Sequence, residues 1–233
     1  KIIEEIRRGD VMFLVNAVYF KSDWQSPFEK NETRRRPFHA PGRAVEAAFM
    51  HRTGRMGWIS GLGATGVSLP YDDGQFAFFA LLPDGGLSPR EWLARQDATS
   101  IFGEIAGMMA RKALFTVELA LPKFESRYED QLNDELVKMG LSIAFDPDRA
   151  DFSGMNESRE RNLYIGEVKH KTFVRVDEKG TEASAVTSIG IRATSFVPES
   201  RKLVFDRPFV YGIMDTNGGI PLFVGIMENP AGK

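Results

Sequence analysis

The chain contains no cysteine. That absence removes disulfides, thiolate metal sites and thiol nucleophiles at once, and leaves the compartment open. Histidine is also scarce: His39, His51 and His170 are the three, none at metal-ligand spacing or in an H-E-x-x-H context, so no metal and no cofactor is expected. No G-x-S-x-G elbow is present, and nothing selects a serine partner for His170, so an enzyme is not expected. No apolar run reaches the roughly 18 residues of a membrane span. A strong excess of one charge is missing as well. The formal net charge of -2 argues against a nucleic-acid or anionic-membrane partner. What is present, 42% hydrophobic and 27% charged residues, is ordinary globular composition with enough apolar material for a sizeable core. Lys1 to Ile6 reads as the tail of a helix with no signal peptide in view, as in the middle of a longer protein.

Val11 to Phe20 (VMFLVNAVYF) has one polar member, Asn16, and predicts a central strand buried on both faces. An Asn there must be hydrogen-bonded or it costs on the order of 1–3 kcal/mol. Residues 29–58 are polar with short strand-like pieces. Gln75 to Leu82 predicts an apolar strand stopped by Pro83-Asp84-Gly85-Gly86. Ser88-Pro89-Arg90-Glu91 is a capping box with proline at the first helical position. Leu114 to Leu121 alternates Phe115, Val117, Leu119 and Leu121 inward, a half-buried strand. Ser126-Arg127-Tyr128-Glu129 reads as a second capping box, succeeded by a stripe of Leu132, Leu136 and Met139 and a closing Gly140. Residues 208–228 read as a hairpin around Thr216-Asn217-Gly218-Gly219. Strands dominate without regular β-α alternation, which favours a mixed α+β fold. No repeat or linker divides the chain.

Two patterns carry little. Gly61-Leu62-Gly63-Ala64-Thr65-Gly66 matches G-x-G-x-x-G, but Val67-Ser68-Leu69 after it reads as a strand ending at Pro70, so a turn between strands is the better reading. Asn31-Glu32-Thr33 and Asn156-Glu157-Ser158 fit the N-glycosylation pattern, which three residues often match by chance. His39 and His51 read as surface or edge-strand residues.

The informative segment is Glu178 to Ile191. One face of a strand would carry Thr181, Ala183, Ala185, Thr187, Ile189 and Ile191. The other would carry Glu182, Ser184, Val186, Ser188, Gly190 and Arg192. Its first half is poor in large side chains and begins at Gly180, so it does not anchor itself by packing. By itself it is a loop that can become a strand.

The hinge Gly180-Thr181-Glu182-Ala183-Ser184-Ala185-Val186-Thr187 resembles the inhibitory hinge of the serpin family, with Val186 where alanine is usual. Further resemblances occur in order along nearly the whole chain. They run through Asn16 to Lys21 with Trp24 and Pro27-Phe28, Phe79 to Pro83, Leu121-Pro122-Lys123-Phe124, and Leu132 to Leu141 with Phe145. Ala150 to Gly154, Val168-x-His170-Lys171, Phe205 to Phe209, Phe223 to Gly225 and Asn229-Pro230 complete the series. Each motif is short; their joint order is specific.

The resemblance implies an α+β multi-sheet serpin fold, with a large central sheet, further sheets, surrounding helices and a mobile reactive loop at about residues 178–198. Residues 1–233 would be the C-terminal portion of one such domain, since a typical serpin extends well beyond this chain at its N-terminus. It implies a monomeric inhibitor, extracellular or exported, that acts on a serine protease as a single-use suicide substrate. Family loop length puts the reactive bond between Thr194 and Ser195, preceded by Ile191, Arg192 and Ala193. A small β-branched Thr194 suits an elastase-like or chymotrypsin-like target. A cut after Arg192 would suit a trypsin-like one, and a cut after Phe196 a chymotrypsin-like one. By the same resemblance Glu178 pairs with Lys123 beside Trp24 as the gate through which the loop enters the sheet. Asn16 and His170 form a polar network where the sheet opens. The alternative is a non-inhibitory serpin that binds, chaperones or stores. The cysteine-free, arginine-rich composition suits a prokaryotic or thermophilic source.

Overall fold

The computed structural model describes residues 12–155, 157–181 and 200–232. The chain divides into two compact units, residues 1–20 with 126–174 and residues 21–125 with 175–233. The helix read at Lys1 to Ile6 lies outside the described residues.

In the first unit, β1 (Phe13–Tyr19) runs parallel to β9 (Glu167–Val176, whose last two residues belong to the second unit), from Phe13 opposite Glu167 to Tyr19 opposite Phe173. β8 (Phe124–Gln131) also pairs with β9. The apolar run at β1 is a strand, but it is not buried on both faces: Leu14, Val15 and Tyr19 are 42%, 43% and 58% exposed. An apolar pattern states what a strand can bury, and its neighbours decide what it does bury. Among the described residues the one strand paired with β1 is β9.

The second capping box does not form. Its residues lie in β8, and the helix α3 is only Asn133–Leu136. A cap is a local preference worth about 1 kcal/mol, and pairing along β9 outweighs it. Asn133 ties the start of α3 to β9, its Oδ1 accepting from Val168 N at 2.9 Å and its Nδ2 donating to Gly166 O at 3.0 Å. Gly140 adopts φ 103° just beyond, as a helix stop does. The stripe ending at Met139 is not core, because Met139 is 78% exposed.

The second unit is built on β3 (Arg34–Ala40), β4 (Arg43–Gly61), β5 (Ala64–Pro70), β6 (Phe76–Pro83), β7 (Leu114–Pro122), β11 (Arg201–Val204), β12 (Phe209–Asp215) and β13 (Ile220–Met227). They form an eight-stranded sheet in the order β11-β7-β4-β5-β6-β12-β13, with β3 also on β4. The polar stretch read as short strand pieces contains β4, one strand of 19 residues. It is long because β3, β7 and β5 pair with successive parts of it. His39 is exposed on β3, whereas His51 is half-buried on β4.

Leu62 (φ 58°) and Gly63 (φ 69°) connect β4 to β5, two left-handed residues in succession. That is a tight hairpin turn, which settles the glycine pattern as structural. β6 lies between β5 and β12 and supplies Phe79 and Leu81 to a core with Trp92, Ile105, Val210 and Met214. Gly212 lets β12 approach, since a Cβ there would lie 2.5 Å from the Phe79 ring.

The first capping box forms as read: Ser88 N donates to Glu91 Oε2 at 2.9 Å and Glu91 N to Ser88 Oγ at 3.2 Å, opening α1 (Pro89–Leu93). A longer helix, α2 (Ile101–Ala110), buries Ile101 and Ile105. Strand β7 turns inward from Val117 on; Phe115 is 36% exposed and carries the Arg201 guanidinium 3.5 Å from its ring centre. The hairpin of β12 and β13 matches the reading of residues 208–228. Among the described residues no helix is long and apolar enough to cross a membrane.

Candidate functional site

Past Val176 the chain makes a tight turn. Asp177 N donates to Gly180 O at 3.0 Å, and Lys179 N donates to Asp177 Oδ1 at 2.9 Å. Gly180–Thr181 then forms a two-residue strand, β10. It is antiparallel to β9, with Thr181 opposite Val176. It is also antiparallel to β2 (Ser22–Asp23), with Gly180 opposite Asp23 and Thr181 opposite Ser22. β10 therefore sits between β9 and β2. Only glycine fits at 180: a Cβ would run into Ser22 O and lie 2.7 Å from Asp23 Cα.

Apart from apolar, aromatic, glycine and proline residues, the described residues bury two side chains, Glu178 at 5% and Thr181 at 0% exposed. Both are satisfied. The Glu178 carboxylate accepts from Thr33 Oγ1 at 2.8 Å and lies 2.7 Å from Lys123 Nζ. Burial opposes its ionisation, but the hydrogen bonds from Lys123 and Thr33 outweigh burial and hold the carboxyl below its ordinary range. Lys123 is placed by its own N–H, which donates to Ala48 O at 2.8 Å.

Trp24 holds the turn from the other side. Its N donates to Lys179 O at 2.7 Å and its Nε1 to Asp177 O at 2.8 Å, and Phe28 N donates to Glu178 O at 2.8 Å. The Trp24 ring stacks on Tyr71 with centroids 4.8 Å apart. Tyr71 Oη lies 2.6 Å from Thr181 Oγ1, and burial pushes the phenol's pKa well up, so it stays a neutral hydroxyl. Glu178, Lys123 and Trp24, the residues expected as a gate, are thus brought together. Thr33 and Tyr71 complete the cluster. Sequence reasoning did not find them, because an ordinary Thr and a Tyr at a strand end carry no local mark of a partner more than a hundred residues away.

A model of the family described as serpin (serine protease inhibitor) matches residues 1–230. The chain belongs to the serpin family. A serpin-like protein of Thermococcus kodakarensis is 34% identical over 221 residues, covering 94% of this chain and 50% of that protein. The human leukocyte elastase inhibitor is 29% identical over 224 residues, covering 94% of this chain and 58% of that protein. Among solved structures, the thermophilic serpin tengpin in its native state superposes at TM-score 0.85 with 34% identity, over 98% of this chain and 58% of that one. Human thyroxine-binding globulin complexed with its ligand superposes at TM-score 0.83 with 25% identity, over 98% and 59%. The chain thus spans about half the length of the curated relatives it matches. These likenesses establish the multi-sheet serpin fold. The expected extracellular location finds no support in them.

In this serpin, Asn16 and His170 face each other as the middle of seven register pairs between β1 and β9. Among the described residues no side-chain hydrogen bond joins them; the His170 ring instead lies 6.0 Å from Tyr128. Asn16 is exposed, so it carries no burial cost. The hinge from Glu182 through Thr187, the residues Ile191, Arg192 and Ala193, and the bond between Thr194 and Ser195 lie outside the described residues. Among the described residues no three His, Asp or Glu side chains converge to hold a metal.

Proposed function

We propose that residues 1–233 are the C-terminal portion of a single serpin domain that inhibits a serine protease as a suicide substrate. The observation that carries this reading is β10. At the start of the loop, Gly180–Thr181 already lies as a strand between β9 and β2, pinned by Glu178 and Thr181. A segment that continues past Thr181 has a seeded strand to extend. Insertion of a serpin's cut loop into its sheet is an established case of strand addition.

In this reading the protease serine attacks the carbonyl of Thr194. The bond to Ser195 breaks, giving an ester on Thr194 and a new amino terminus at Ser195. Before water cleaves the ester, the freed segment lengthens β10 antiparallel to β9. β1 and β9 part to admit it, opening at the level of Asn16 and His170. The small residues of the hinge suit this movement: Gly180 to Thr187 holds no proline and no aromatic residue. The trapped acyl-enzyme is held by a rate, not an equilibrium. Thr194 favours an elastase-like or chymotrypsin-like target, and the likeness to an elastase inhibitor supports that class.

A second reading, a serpin that binds a small molecule without inhibiting, is favoured by the likeness to a globulin solved with thyroxine. The test is incubation of the full-length protein with elastase, chymotrypsin and trypsin, then denaturing gels and mass spectrometry. An SDS-stable complex in which the Thr194 carbonyl is esterified to the protease serine supports inhibition. Clean cleavage by all three without complex overturns it in favour of the binder.

A further inference from the structure

A pocket of about 170 Å3 opens between β4, β5 and the residues just after β2. It is smaller than the roughly 300–1,000 Å3 clefts that hold drug-sized ligands, and suits an ion or a compact metabolite. Its chemistry is one-sided. Arg52, Arg55, Gln25, Ser26 and Ser68 line it beside Trp24, and no Asp or Glu does.

Arg52 is the informative residue. Its guanidinium lies 5.0 Å from the centre of the Phe28 ring. Among the described residues it has no carboxylate and no hydrogen-bond acceptor. Burial pushes its pKa down to about 10 with no opposing charge to restore it. A surface arginine needs no partner, but a half-buried one has part of its five-donor guanidinium withdrawn from water, and donors left unpaired there cost free energy. The planar fork of a guanidinium matches two oxygens of a phosphate, sulfate or carboxylate.

We propose that this pocket is an oxyanion site, in which Arg52 and Arg55 grip a phosphate, sulfate or carboxylate group and Gln25, Ser26 and Ser68 supply neutral donors. Phe28 forms the apolar wall behind Arg52. The occupant borders Trp24, the ring that stacks on Tyr71 and holds the turn at Lys179. It therefore strengthens the gate cluster from outside. The site stands on its own residues and does not depend on whether the serpin inhibits a protease.

The test titrates the full-length protein with sodium phosphate, sodium sulfate and sodium citrate in separate arms, at ionic strength held constant with chloride. Calorimetry and melting temperature are read in each. Phosphate and sulfate also stabilise proteins generally by exclusion from their surface, a rise that does not saturate and that variants share. The expected result is a saturable heat and a saturable rise in Tm, which the Arg52→Met protein lacks. Arg55→Gln, at an exposed position, should bind at least about tenfold more weakly, as loss of a charged hydrogen bond requires. A larger effect of citrate than of phosphate assigns the site to carboxylates, and the reverse order to phosphate or sulfate. Equal responses from all three proteins, or no saturable heat in the unaltered one, overturn the proposal. If Arg52→Met does not fold, the Arg55→Gln comparison decides.

Discussion

Tyr71 Oη and Thr181 Oγ1 lie 2.6 Å apart with both residues at 0% exposure, so the two hydroxyls are partners in a dry setting. Removing one deprives the other of that bond. Tyr71→Phe should destabilise the protein by about 1–3 kcal/mol, the cost of a buried hydroxyl that loses its partner. Thr181→Val should cost a similar amount, and the double variant less than the sum, as shared partners require. Urea unfolding of the four proteins reads this directly. Strict additivity would show that the two hydroxyls do not act as a pair.

Lys123 and Glu178 give a prediction with a pH signature. Lys123→Met removes a charged donor from a buried carboxylate and should cost about 1.5–3 kcal/mol at neutral pH. Lys123 itself is 38% exposed, so the loss falls short of that for a fully buried pair. The folded carboxyl of Glu178 ionises below its ordinary value of 4.5. Its contribution is therefore fully present above that value and is lost as pH falls through the depressed one. Stability measured from pH 6 downward should drop less steeply in Glu178→Gln than in the unaltered protein. Parallel curves would show that Glu178 does not hold the turn before β10 through its charge.

Gly180 is required by close approach, because a methyl group would meet Ser22 O and Asp23. Gly180→Ala should cost about 1–3 kcal/mol, as overpacking does. Hydrogen exchange at Thr181 and Ser22 should rise together in this variant. Unchanged protection at both would mean that β10 tolerates the added atom.

Arg201 opens β11, a four-residue strand that is paired with β7 alone among the described residues. Its guanidinium lies 3.5 Å from the Phe115 ring centre and 4.8 Å from that of Trp58. Such contacts are worth about 0.5–1 kcal/mol each at exposed sites. Arg201→Ala should speed amide exchange in β11 several-fold while leaving β12 unchanged. Uniform exchange across both strands would indicate a global effect in place of a local clamp.

The second test of the protease reading is Thr194→Arg. If Thr194 occupies the specificity pocket, the variant should gain complex formation with trypsin and lose it with elastase. Retention of elastase as target would place the cut bond elsewhere in the loop.

Local chemistry was legible wherever a pattern and its partners lay close in the chain. The Ser88 capping box, the Leu62-Gly63 turn and the hairpin after Phe209 involve residues only a few positions apart, and each formed as read. The Glu178 and Lys123 pair was found from family motifs, not from local physics, since 55 positions separate the two residues. Reading failed where distant pairing overrules a local signal. Ser126 and Glu129 have the spacing of a helix start, yet β9 recruits them into a strand.

By itself the sequence determined the lack of any cysteine chemistry, the apolar strands, the turns and the ordered motifs of a serpin. All of these depend on side-chain type and short-range backbone preference. The tertiary structure decided which residues meet: Thr33 and Lys123 on Glu178, Tyr71 on Thr181, and Arg52 in a pocket with no carboxylate. Those contacts join segments far apart in the chain, and only the packing of strands that buries a polar group also fixes which partner satisfies it.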